Sequence, residues 1–100
     1  MLIHTVIFWL RPDLDDAQRE AFRRDGLESL RAIPSVGSLH IGVPAPIPPR
    51  PVVDASYTFA LTILFADVPA HDAYQVHPIH RAFVDNFKAR WERVLIYDAA

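Results

Sequence analysis

A chain of 100 residues, 51% of them hydrophobic, with 3 Gly, 9 Pro and no Cys, has the size of one domain and predicts a single unit over residues 1–100, with no second domain. Ten Lys plus Arg against twelve Asp plus Glu give a formal charge of -2, which excludes an affinity built on neutralising phosphates, so nucleic acid is not an expected partner. The lack of cysteine removes disulfides, thiolate zinc sites and a Cys nucleophile, and fits a reducing, cytoplasmic setting.

A domain this small hides only about two-thirds of its unfolded surface. The surplus of apolar residues therefore predicts an enclosed cavity or a buried subunit contact. Leu2 to Trp9, rich in β-branched and aromatic residues and followed by Arg11-Pro12-Asp13, reads as a strand ended by a turn. Interrupted by His4 and lacking a preceding basic region, the run is expected to be neither a signal peptide nor a membrane span. Both of its faces are apolar, with Leu2, His4, Val6 and Phe8 on one and Ile3, Thr5, Ile7 and Trp9 on the other, so it belongs inside a layered structure.

Asp13 is expected to cap a charged helix running to about Ala32, with Phe22, Gly26, Leu30 and Ile33 as its apolar stripe. A glycine inside a helix costs about 1 kcal/mol against alanine, so Gly26 predicts close backbone approach to the sheet. Ile33-Pro34-Ser35 ends the helix, and Val36 to Val43 alternates as a second strand. Pro44 to Pro51, with five prolines in eight residues, is a stiff extended connection. Tyr57 to Phe65 is the third strand, with Tyr57, Phe59, Leu61, Ile63 and Phe65 as its greasier face.

Asp67 caps a short helix ending near Val76, because His77 precedes a proline and is pushed out of the α region. Pro78 starts another helix to about Arg90, and Trp91 to Asp98 closes the chain as a fourth strand, with Trp91, Arg93, Leu95 and Tyr97 on one side. The order βαββαβ is that of a ferredoxin-like α+β fold with a four-stranded antiparallel sheet. Helices on one face leave the other bare. With Tyr57, Phe59, Leu61, Ile63, Leu95 and Tyr97 expected there, a homodimer through the open sheet face is predicted.

The groups able to work near neutral pH are histidines, and His71, Tyr74, His77 and His80 recur three apart. The His77-Pro78 break redirects the chain so that Tyr74 and His80 converge on a cavity between helix and sheet while His71 faces water. An imidazole can remove a proton α to a carbonyl, and a tyrosine hydroxyl can donate to the oxygen where enolate charge gathers. Tyr74 and His80 are thus candidate catalytic residues, the bland reading being a hydrogen-bonded pair at the core edge. His77 is balanced between capping the following helix and a site role, and His4 between a satisfied core histidine and a base.

His77-x-x-His80 with Asp85 is a weak metal pattern, with no His-Glu-x-x-His and no acidic calcium loop, so no metal and no cofactor is expected. Haem rests on an available histidine alone. RNA recognition is disfavoured because Tyr57 to Phe65 carries no Lys, Arg or Gly.

Together, His4-x-Val6-x-Phe8, Ile33-Pro34, Gly42, Phe65, Tyr74, His77-Pro78-x-His80, Trp91 and Asp98 resemble, in order and spacing, the stress-responsive dimeric α/β-barrel (Dabb) family across nearly the whole chain. The resemblance implies a dimeric α/β barrel with a ligand cavity between each sheet and its helices. It also implies a cyclase-like or lyase-like activity, since the family includes plant polyketide cyclases in which a Tyr and a His matched by Tyr74 and His80 close a ring by aldol chemistry. His4 and His77 match histidines there, while a third-strand histidine is replaced here by Phe59, giving a more apolar pocket with Val6 as another lining residue. A small apolar or aromatic ligand follows as the expected partner, with a non-catalytic stress-responsive binding protein and a haem-linked oxygenase as the alternative readings.

Overall fold

The computed structural model describes residues 1–100. Its strands, β1 (Leu2–Leu10), β2 (Ser38–Gly42), β3 (Phe59–Phe65) and β4 (Trp91–Ala99), form one antiparallel sheet in the order β2-β3-β1-β4. The helical segments cover one face of it, as the ferredoxin-like order requires.

The first helix begins two residues later than its charge pattern implies. Asp13 pairs with Arg11 in the preceding turn, and Asp15 caps α1 (Asp16–Ala21) through a reciprocal box in which Gln18 N donates to Asp15 Oδ1 at 2.7 Å and Asp15 N donates to Gln18 Oε1 at 2.9 Å. The helix then widens into a π-type turn over Phe22–Gly26 and tightens into a 3₁₀ segment over Leu27–Ala32. This changing pitch keeps Phe22, Leu27, Leu30 and Ile33 on the buried side. Gly26 serves a different neighbour from the one expected. A Cβ there would stand 3.2 Å from Phe83 Cε1 and 3.3 Å from Phe87 Cδ2, so the close approach is to another helix and not to the sheet.

Asp67 caps α2 (Val68–Val76) by accepting from Ala70 N, with Pro69 in the first turn. His77, extended at φ -66° and ψ 140°, ends α2 and at once caps α3 (Pro78–Phe87), its Nδ1 accepting from Ile79 N at 3.1 Å. The break is thus a hinge-free corner between two helices. A 3₁₀ turn over Lys88–Arg90 leads into β4.

Strand pairing decides which apolar face is covered. β1 sets His4 opposite Ile63, Val6 opposite Leu61 and Phe8 opposite Phe59, so Phe59, Leu61 and Ile63 lie in the core beneath the helices and not on the open face. The open face carries Ile3, Thr5, Ile7, Thr62, Leu64, Leu95 and Tyr97 instead. Because both faces of β1 are apolar, alternation alone could not choose between them. A register shift between Trp9 and Leu10 pairs Trp9 with Arg93 and Leu10 with Trp91, skipping Glu92. Trp91 therefore joins Val94 and Ile96 on the covered side, while Arg93 stays on the open side with its guanidinium 4.3 Å from the Trp9 ring.

Candidate functional site

Beneath the helices the covered sheet face divides into an aromatic end and a polar end. At the first, Phe22 is wholly buried among the rings of Phe8, Phe59, Phe83, Phe87 and Trp91, with centroids 5.3 to 6.2 Å away. Phe59 stacks on Phe22 and does not border the cavity, contrary to its expected place as a lining residue. The shift follows from register, since Phe59 pairs with Phe8 at the packed end of β1.

Beyond this cluster lies a cavity of about 150 Å³, open to solvent on one side. Val6 and Leu61 form its sheet wall, Phe83 and Val84 its α3 wall, and Trp91, Val94 and Ile96 its β4 wall. An engineered cavity of about 150 Å³ takes benzene, so the enclosed part of this one suits a single ring or a short chain. None of residues 44–51 borders it.

The polar groups at the cavity come from three elements. β1 contributes His4, α2 contributes Tyr74 and Gln75, and α3 contributes His80. The corner at His77-Pro78 brings the Tyr74 and His80 rings to 4.7 Å between centroids in an edge-on arrangement. The Tyr74 ring is buried, and its hydroxyl has no hydrogen-bond partner in the protein yet is not sealed from solvent, so it opens on the cavity. Burial pushes its pKa well above the ordinary tyrosine value and keeps it a neutral donor. Burial also pushes the half-buried His80 imidazole below its usual value; His4 and His71 push the same way, against the Gln75 carbonyl. His80 is therefore a neutral base near pH 7. His77 lies outside the cavity, its Nδ1 engaged in capping α3.

β4 adds a partner that the spacing did not single out. Asp98 stands opposite His4 in the ladder, and its Oδ1 lies 2.5 Å from His4 Nδ1. His4 is 2% exposed, so the carboxylate satisfies a buried imidazole that would otherwise lack a partner. His71 also differs from expectation. It turns toward the sheet, its ring centroid 5.1 Å from His4 and 5.6 Å from Phe65, because positions 71 and 74 share the inward face of α2. That spacing was the signal available in the sequence. Among the groups present, His4, His71 and Asp98 are the ones able to converge on a cation, with ligand atoms within 4.8 Å of one another.

Comparison with known proteins places this architecture. The family model described as the stress responsive A/B barrel domain (Dabb) matches residues 2–100. Olivetolic acid cyclase of Cannabis sativa is 24% identical over 95 residues, spanning 95% of this chain and 91% of the cyclase. A Dabb family protein with a ferredoxin-like fold from Mesorhizobium loti superposes with a TM-score of 0.81 at 29% identity, covering 99% of this chain and 94% of that one. A dimeric ferredoxin-like protein of unknown function from Thermobifida fusca does so with a TM-score of 0.78 at 22% identity, covering 99% and 89%. No helix here is long and apolar enough to cross a membrane. With a family match over residues 2–100, this chain belongs to the Dabb family.

Proposed function

We propose that the protein is a cofactor-independent cyclase or lyase acting on a polyketide-like or β-keto substrate, with His80 as general base and Tyr74 as oxyanion donor. The observation that carries this reading is the His80 imidazole and the Tyr74 ring, with centroids 4.7 Å apart, on one ring-sized apolar cavity. His80 takes the proton α to a carbonyl, Tyr74 donates to the oxygen that gains enolate charge, and the new carbon–carbon bond forms as the enolate carbon attacks a second carbonyl of the same chain. The protonated His80 then returns the proton to the resulting alkoxide. The similarity to a plant cyclase supports the reaction class, and the volume supports a substrate whose buried part is no larger than one ring.

The assembly that suits this reading is a homodimer in the cytoplasm. Ile3 and Tyr97 are exposed on the open sheet face beside Ile7, Leu64 and Leu95, an apolar surface that a second copy would cover by an isologous contact. The dimeric ferredoxin-like relative supports it. Ile7→Lys is expected to yield a monomer by sedimentation; an unchanged mass would place the contact elsewhere.

The test of function uses a cyclisable β-polyketone and follows ring closure. His80→Ala should lower kcat/KM by about 10²–10⁴ with the circular dichroism spectrum unchanged. Tyr74→Phe should lower it by about 10² or more. Ligand binding that survives both changes, with no turnover in the native protein, would instead mark a non-catalytic stress-responsive binding protein.

A further inference from the structure

We infer that His4, His71 and Asp98 form a binding site for a divalent transition-metal ion, at the polar end of the covered sheet face and beside the cavity. The three residues come from β1, α2 and β4, far apart in sequence, and offer two imidazole nitrogens and one carboxylate oxygen within 4.8 Å of one another. An ion with bonds of about 2.1 Å holds adjacent donors roughly 3–4 Å apart, so small side-chain rotations complete the geometry. The proposed acid–base chemistry gives His71 no direct role, and a solvated histidine would have no reason to turn inward against His4 and Phe65.

Burial is graded as an exchangeable site requires. The His4 side chain is 3% exposed and anchors the set, whereas the His71 and Asp98 side chains, at 17% and 41%, leave a path for ion entry. The contact between His4 Nδ1 and Asp98 Oδ1 holds a proton in the metal-free protein, and the ion takes its place. Asp72 Oδ1 lies 3.1 Å from His71 Nδ1, a carboxylate partner that holds the ring in the tautomer whose Nε2 carries the lone pair. That Nε2 now meets only the Gln75 amide nitrogen at 3.3 Å, a long contact that a metal bond replaces.

The donor set selects the class of ion. Calcium and magnesium favour oxygen ligands throughout, whereas two imidazoles and a carboxylate suit zinc, cobalt, nickel or ferrous iron. Three protein ligands also leave positions open to water.

The experiment titrates the full-length, chelator-treated protein with cobalt(II), following its visible absorption, and then displaces the cobalt with zinc. One ion per chain is expected. His71→Ala and Asp98→Asn should each weaken binding by more than about tenfold, at least the loss that follows removal of an outer-shell partner. Both side chains are partly exposed, and melting curves verify that the variants fold; His4 is left intact because of its burial. His40→Ala, altering an exposed histidine on the opposite sheet face, should leave binding unchanged. The inference is overturned if no ion binds, if binding survives both His71→Ala and Asp98→Asn, or if it is lost in His40→Ala. Because the readout is binding and not turnover, failure here leaves the cyclase reading standing, and failure of that reading leaves this one intact.

Discussion

β1 runs beneath the helices from the packed rings around Phe8 to the paired His4, and its two ends are built on opposite principles. Around Phe8 and Phe22, six aromatic side chains fill space in edge-on and stacked pairs, and a glycine at position 26 lets a helix backbone reach Phe83 and Phe87. Around His4, polar groups border a cavity, and the Tyr74 hydroxyl has no protein partner. The contrast separates the part of the interior that holds the fold from the part left incomplete. Unfilled volume and an unsatisfied donor weaken a core and are retained where a ligand supplies the missing contacts.

Several measurements sharpen or break this division. The largest stability effect is expected at the aromatic end, where Phe22→Ala should cost about 3–5 kcal/mol in denaturant unfolding. A loss below ~1 kcal/mol would mean the cluster is not the anchor. At the polar end the effect depends on pH. Because the folded His80 pKa lies below its unfolded value near 6.5, the folded state binds fewer protons, so stability is fully present above that value and falls as pH drops through it toward the folded pKa. The slope should be well under the ~1.4 kcal/mol per pH unit of one whole proton, because solvent screens a half-buried ring, and His80→Gln should flatten it. A slope unchanged in that variant would assign the effect to another histidine. The smallest change is expected for Tyr74→Phe, within about 0.5 kcal/mol by thermal melting, since the hydroxyl makes no protein hydrogen bond. A greater loss would reveal a structural role for that oxygen.

Much of the element order could be read from local chemistry. The Asp67 cap with Pro69, the corner at His77-Pro78 and the apolar alternation of β3 each act over a few residues, so they are visible without the rest of the chain. The structure departs from that order at the start of the first helix, for a local reason, and across the sheet, for long-range ones. Asp13 and Asp15 both precede the first helix, and the decision lay in an arginine that binds one and a glutamine that boxes the other. Phe59, Leu61 and Ile63 lie on the covered face, which alternation could not choose because β1 is apolar on both sides, and Trp91 joins that face because a bulge skips Glu92. At the site, Tyr74 and His80 stood out by spacing around a proline. His71 shares that spacing, but whether it faces water or the sheet depends on the strand beneath it.

The sequence by itself determined a ferredoxin-like α+β chain, the two helices that meet at Pro78, and the residue types able to do proton chemistry, because capping, proline geometry and periodicity are short-range properties. Tertiary structure decided which sheet face is covered, that Phe59 packs on Phe22 outside the cavity, and that His4 meets both Asp98 and His71. Those outcomes depend on strand register between residues up to 94 positions apart, and register is set by the packing of the whole sheet and not by any segment of it.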